Sequence, residues 1–406
     1  DGMAPRALVL ALPLLALTGC SPDLDPLRPS VAEVPSGIVA DALRASPEPA
    51  APPPRATLTL VAGGDVSFGR WRGQKLLANP DRDDFAPLRP LLADADLRFV
   101  NLESIIFDNG PVTVHPDNIL VFNAPPAAAP ALRRGGVDVV SLANNHAWDH
   151  GQRGLFETFE RLDAEGITYV GAGRSREEAY APRIVERGGF RIAFVAVTSI
   201  WNQVLHPHPG KEHIADAAQE RLVAAVREAR ALPGVDKVIV SHHGGEEYRR
   251  PTSPPIVSLL RAALDAGADA VLGHHPHILQ RVALVEGKPL FYSLGNLIFR
   301  DTGKGGTWAK FGAVARLELT RDAPTRAWLC PVRLAAGRVI PLAAEPQRQA
   351  IEGLFRTYYD RMLTAGARTE PDAAVRLGPL GEDGCGEILA EDERAAAPPP
   401  SVAARR

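Results

Sequence analysis

Five short polar clusters recur at wide intervals along the 406-residue chain. They are Gly64-Asp65, Asn101-Leu102-Glu103, Asn144-Asn145-His146 with Asp149, Ser241-His242-His243-Gly244, and Gly273-His274-His275-Pro276-His277. Carboxylate, amide oxygen and imidazole form the donor set of zinc, manganese or iron rather than of calcium alone. Three imidazoles at 274, 275 and 277 repel one another when protonated and gain from a shared cation. The other clusters admit plainer readings. Gly-Asp is common after a strand, Asn144 or Asn145 would suit a cap for a helix beginning near Gly151, and His242 and His243 would suit a solvated loop.

The elements that must carry these groups alternate. Apolar runs at 57–62, 96–102, 137–142, 190–198, 237–241, 269–272 and 290–293 read as strands, and a further strand ends at 169–171. Leu155, Phe156, Phe159 and Leu162 recur at helical spacing, as do Ile256, Leu259, Leu260, Ala263 and Leu264. Residues 215–231 and 347–365 are helical in pattern, and three more strand-like runs fall between Phe311 and Ala343. The pattern predicts an α/β fold, with each polar cluster just past the C-terminal end of a strand, where such folds place their sites.

Gly63-Gly64-Asp65-Val66, Asn101-Leu102-Glu103, Ser141-Leu142-Ala143-Asn144-Asn145-His146, the His274 to His277 loop and Tyr292-Ser293-Leu294-Gly295-Asn296 together resemble the CapA family of bacterial capsule and poly-γ-glutamate synthesis proteins, over about residues 58–299. That family is in turn similar to calcineurin-like metallophosphoesterases. The resemblance implies a metallophosphoesterase-like four-layer α/β/β/α sandwich, two mixed sheets flanked by helices. It also implies one or two divalent ions (manganese, zinc or iron) held by Asp65, Glu103, Asn145, His242, His275 and His277. His146 becomes the general acid, held by Asp149. Asn144, His243, Glu246 and Asn296 are expected to line the substrate cleft, although Asn296 would equally suit a turn. Two departures bear on the number of ions: Ser67 stands where the first phosphoesterase motif has His, and Glu103 replaces the bridging Asp. Gap-free matching puts His243 at a Trp position of the family motif, so His242 is the expected ligand and His243 the alternative.

Outside this region the chain is organised for export. Residues 1–20 read as a lipoprotein signal peptide, with a basic start after Met3, an apolar run and then Leu17-Thr18-Gly19-Cys20, which resembles the bacterial lipobox. Cys20 is the expected lipidation site, so an exported lipoprotein facing the periplasm or cell surface, anchored in the membrane by lipid, is expected. Residues 21–56, with nine prolines, form a spacer, 57–345 the CapA-like domain, 346–389 a C-terminal helical extension and 390–406 a disordered tail. Cys330 and Cys385 would meet in an oxidising compartment, but spacing alone does not pair them.

The 45 basic and 48 acidic side chains nearly cancel, which speaks against a nucleic-acid partner. Two functions remain. One is a metal-dependent hydrolase acting on a cell-envelope polymer or a phosphorylated precursor. The other is a non-catalytic accessory to a membrane synthase complex that assembles or exports an anionic polymer. Aromatic content of 6% and the lack of an aromatic run argue against a carbohydrate-binding surface.

Overall fold

The computed structural model describes residues 55–202, 210, 212–299, 306–335, 337–367 and 375–390. The signal peptide with Cys20, the spacer up to residue 54 and the tail from residue 391 lie outside the described residues.

The apolar runs build two mixed sheets. In the ten-stranded sheet, Thr57–Val66 pairs in parallel with Leu97–Leu102, and Val139–Ser141 and Thr168–Val170 follow outward in the same direction. On its other side Thr57–Val66 runs antiparallel to Phe311–Thr320, which leads to Arg326–Ala335, Gly386–Ala390 and Val375–Leu377. The six-stranded sheet places Lys237–His243 in parallel between Phe190–Thr198 and Ala270–His274. The hairpin turning at Gly188-Gly189 closes one edge of this sheet, where Arg183–Arg187 pairs with Phe190–Thr198. At the other edge the hairpin of Val282–Val285 with Lys288–Phe291 lies against Ala270–His274.

Strand alternation assigns each side chain to a layer. In Phe190–Thr198, Phe190, Ile192, Phe194 and Ala196 enter the core between the sheets with Leu60, Ala62 and Phe99. Ala193, Val195 and Val197 face the other way and pack on Leu222, Val226, Leu260 and Leu264 of helices Gln219–Ala231 and Pro254–Asp265. The ten-stranded sheet is covered likewise, with Val61, Val100 and Val140 packed on Leu132, Leu155 and Phe159 of helices Ala128–Arg134 and Gly151–Ala164. The result is the expected four-layer α/β/β/α sandwich.

The segment 346–389 differs from the expectation. It begins as helix Arg348–Ala367 but ends in the strands Val375–Leu377 and Gly386–Ala390. Gly386–Ala390 pairs with Arg326–Ala335 at Trp328 and Leu329, on the stretch of that edge which Arg338–Pro341 does not cover, and Cys385 is disulfide-bonded to Cys330 of the same strand. A strand this short carries too little alternation to be read from sequence. The cross-link closes a loop with a sequence separation of 55 residues. Reduction should therefore lower the unfolding free energy by about 2–4 kcal/mol. Urea unfolding with and without dithiothreitol measures this, and coincident curves would show that the bond contributes nothing.

Candidate metal centre

The strand ends converge because their backbones pass unusually close. A Cβ on Gly64 would overlap the Gly295 carbonyl oxygen, and one on Gly273 would overlap that of Tyr292. Only glycine permits these approaches. They bring Asp65, whose backbone N–H donates to Gly295 O at 2.9 Å, against the loop that follows Ala270–His274. His275 and His277 in that loop have φ of 97° and 56°, a left-handed conformation that costs a non-glycine residue energy and clusters at functional sites. The His275 backbone N–H donates to Asp65 Oδ2 at 3.2 Å.

Glu103 lies at the centre of the site. It is wholly buried, and among the described residues neither carboxylate oxygen has a hydrogen-bond partner. Nε2 of His277, His146 and His243 lie 3.7, 3.8 and 4.0 Å from its Oε1. Those spacings are too long for hydrogen bonds but suit donors around a shared cation with bonds of about 2.0–2.2 Å. Glu103, His275 and His277 offer atoms within 4.8 Å of one another, and so do Asp65, Glu103 and His243. Glu103 belongs to both groups. Orphaned carboxylate oxygens facing buried imidazoles are what a divalent cation would satisfy, so the residues fit such an ion. Asn145 Oδ1 lies 2.8 Å from His243 Nε2 and completes the amide–imidazole side of the cluster.

His146 borders the same space. Its Nδ1 is 2.7 Å from Asp149 Oδ2, which also accepts the Phe122 backbone N–H at 2.6 Å. Its ring stacks on Phe122 with centroids 3.6 Å apart. The carboxylate and the aromatic plate thus fix the ring with Nε2 turned toward Glu103.

Asp65, Glu103, Asn145, His275 and His277 come together, but His242 does not. The strand continues through His243, so the two neighbouring imidazoles point to opposite faces. His243 enters the cluster, whereas His242 Nε2 lies 2.7 Å from Ser199 Oγ. His243 is therefore a ligand candidate rather than a cleft-lining residue. Glu246 is exposed and paired with Arg249 at 3.2 Å, outside the cluster; the charge that reaches Glu103 and His277 is that of Glu247. Asn144 is buried and donates to Leu102 O at 2.8 Å, so it braces the loop and does not face a cleft. Asn296 Oδ1 lies 2.9 Å from His277 Nδ1 and orients that ring. Asn101, which the sequence alone does not mark as a site residue, donates its amide to Asp65 Oδ1 at 2.9 Å and approaches His243 Nδ1 at 3.1 Å. Its place beside Glu103 at a strand end was the available signal.

The family model for "Bacterial capsule synthesis protein PGA_cap" matches residues 59–301, a span that contains the whole cluster. The chain belongs to the PGA_cap family. Its relatives include the capsule biosynthesis protein CapA of Bacillus anthracis, 27% identical over 71% of this chain and 70% of that protein. They also include a probable polyglutamine synthesis accessory protein of Mycobacterium tuberculosis, 30% identical over 70% of this chain and 77% of the relative. Among solved structures, the calcineurin-like phosphoesterase YfkN of Bacillus subtilis aligns over 77% of this chain and 99% of its own. Its identity is 13% and its TM-score 0.38.

Burial sets the protonation of the PGA_cap cluster. It lowers His275 to about 3, with the His277 charge acting in the same direction, and holds His243 well below the imidazole range. Both are neutral near pH 7, as ligands must be. Burial also raises Glu103 well above the carboxylate range, against the pull of His277. At Asp65 burial acts upward, but the adjoining His277 and His274 outweigh it and leave the carboxyl below its usual value. At His277 burial acts downward, yet Glu103 and Asp65 outweigh it and raise the ring to about 9. The cation-free protein therefore keeps a proton on His277 at pH 7 that a bound cation must displace. Affinity should rise with pH up to about 9, and binding at pH 7 should release about one proton or more. Calorimetry in two buffers of different ionisation enthalpy counts the protons, and a count of zero would contradict this assignment.

Proposed function

We propose that this chain is a metal-dependent, phosphoesterase-like hydrolase acting on a cell-envelope polymer or its phosphorylated precursor. On this reading it is exported and tethered to the membrane through a lipidated Cys20. The observation that carries the reading is Glu103, a buried carboxylate without hydrogen-bond partners among the described residues, placed among imidazoles with a braced His146 at its side. Membership of the PGA_cap family supports the envelope setting, as do the capsule and polyglutamate roles in the relatives' names. The Cys330–Cys385 disulfide supports an oxidising compartment.

Asp65, Glu103, Asn145, His243, His275 and His277 would hold the metal. When bound, a divalent cation supplies Lewis acidity toward a phosphoryl oxygen and a water made nucleophilic near neutral pH. The remaining roles fall to side chains of this chain. His146, with Nδ1 held by Asp149, directs Nε2 into the site and gives its proton to the departing oxygen. Asp149 stabilises the imidazolium before transfer and, through the Phe122 amide, keeps the ring from turning. Asn296 fixes His277 through Nδ1, leaving Nε2 toward Glu103. The near-complete burial of Glu103, His243 and Asp65 excludes bulk water and strengthens each of these interactions.

A specific observation keeps the accessory role as the second reading. Ser67 stands where the phosphoesterase motif carries a ligand, and the mycobacterial relative is named an accessory protein. In that role the same centre binds an anionic polymer without turnover, beside a membrane synthase. Hydrolysis of bis(4-nitrophenyl) phosphate with added manganese, zinc or iron separates the two. The hydrolase reading expects turnover that falls by about 10²–10⁴ in His146→Ala at unchanged metal content. The absence of turnover with every metal would leave the accessory reading.

A further inference from the structure

The strand Phe190–Thr198 runs in parallel beside Lys237–His243, with Thr198 level with His243. Past its end the chain stays close to that neighbour. The Ser199 N–H donates to the His243 carbonyl oxygen at 2.9 Å, and the Ile200 N–H donates to Thr198 Oγ1 at 3.1 Å. Two residues later this bend delivers the half-buried Asn202 to the edge of the metal centre.

Asn202 touches two groups of the site. Its Oδ1 accepts from Asn145 Nδ2 at 2.9 Å, and its Nδ2 lies 3.4 Å from His146 Nδ1. The second contact is the weaker, since His146 Nδ1 is already 2.7 Å from Asp149 Oδ2. Asn145 is buried, and the other end of its amide, Oδ1, lies 2.8 Å from His243 Nε2. Asn202 therefore stands between a candidate ligand and the proposed general acid.

The bond to Asn145 matters because the two ends of an amide have nearly the same shape and opposite roles. The oxygen can bind a cation, whereas the NH₂ group only donates and turns its protons toward the cation. Packing alone does not choose between the two orientations of a buried Asn. A hydrogen bond that claims the nitrogen does. Asn202 Oδ1 makes that bond, which leaves Asn145 Oδ1 facing the cluster. Partners of this kind, one step removed from a metal, orient its ligands and tune its affinity.

We infer that Asn202 is a positioning residue of the metal centre: by accepting from Asn145 Nδ2 it fixes the Asn145 oxygen toward the cation. Asn202 lies outside the five polar clusters of the sequence and adds a sixth segment to the site. The inference deepens the functional reading above and rests on it in taking a divalent cation to bind at this cluster.

The test has two readouts on wild type, Asn202→Ala and Asn202→Asp. Manganese is titrated into the metal-free protein by calorimetry. Solvent exchange of side-chain amide protons is followed by NMR in metal-free protein labelled with ¹⁵N-asparagine, with the Asn145 signal assigned by its loss in Asn145→Asp. Asn202→Ala should weaken manganese binding by about 10–100-fold and speed exchange at Asn145 by roughly tenfold. The other asparagine signals should stay in place, which reports an intact fold. Asp accepts and does not donate, so Asn202→Asp should restore both slow exchange at Asn145 and manganese binding. A new carboxylate attracts the cation by itself, so the restored exchange rate is the decisive reading for that variant. If Asn202→Ala fails to fold, Asn202→Asp decides alone: slow exchange at Asn145 supports the inference and fast exchange overturns it. Equal manganese affinity in wild type and Asn202→Ala overturns the inference and leaves the metal centre standing. A weakened affinity with unchanged exchange at Asn145 overturns it as well, because the side chain then acts on the fold at large. A wild type that binds none of manganese, zinc and iron removes the metal reading and this inference with it.

Discussion

A carboxylate sealed from water without a hydrogen-bond partner is among the costliest arrangements a fold can hold, at several kcal/mol. Among the described residues Glu103 is in that position, and burial raises its carboxyl well above the carboxylate range against the pull of the neighbouring His277. The rest of the site is arranged around this deficit. Asp65, itself supported by the Asn101 amide and by the His275 backbone N–H, adds a second buried carboxyl. His243 and His275 are kept neutral by burial, with their lone pairs available. A divalent cation would answer all these demands together, whereas protons alone would leave imidazoles crowded in a dry pocket.

The sandwich serves this centre by bringing the ends of both sheets to one place. Thr57–Val66 and Leu97–Leu102 deliver Asp65 and Glu103 from one sheet, and Lys237–His243 and Ala270–His274 deliver the imidazoles from the other. The fit depends on backbone contacts at Gly64 and Gly273 that no larger residue would allow. It also depends on the left-handed residues His275 and His277, whose strain the surrounding hydrogen bonds sustain. His146 arrives from a third direction on the loop after Val139–Ser141, and Asp149 and Phe122 set its angle. Each element thus contributes one or two groups, which is why the donors lie so far apart along the chain.

Much of this was legible before the coordinates. The long apolar strands and the amphipathic helices announce themselves through periodicity, and the five polar clusters through their position after strands. The choice between His242 and His243 was not legible. The apolar run stops at Ser241, so the sequence gives no sign that the strand persists for two more residues, and the persistence decides which ring faces inward. Glu246 was misplaced because matching a motif in a loop fixes the order of residues but not the turn; it is Tyr248, with φ of 60°, whose ring approaches His277, with centroids 6.0 Å apart. Asn144 and Asn296 looked like cleft residues because they adjoin ligands; their amides are occupied in bracing the loop and the His277 ring. The pairing of Gly386–Ala390 with Arg326–Ala335 is accompanied by a long-range Cys330–Cys385 disulfide, which the spacing of the cysteines does not reveal.

Everything turns on whether a cation occupies the space beside Glu103. Anomalous diffraction from crystals of the protein, recorded above and below the manganese, iron and zinc absorption edges, tests this most directly. The account predicts an anomalous peak within about 2.5 Å of a Glu103 oxygen and of a ring nitrogen of His275, His277 or His243. A metal bound elsewhere, or a Glu103 carboxyl satisfied only by water in crystals grown with each metal, would contradict it.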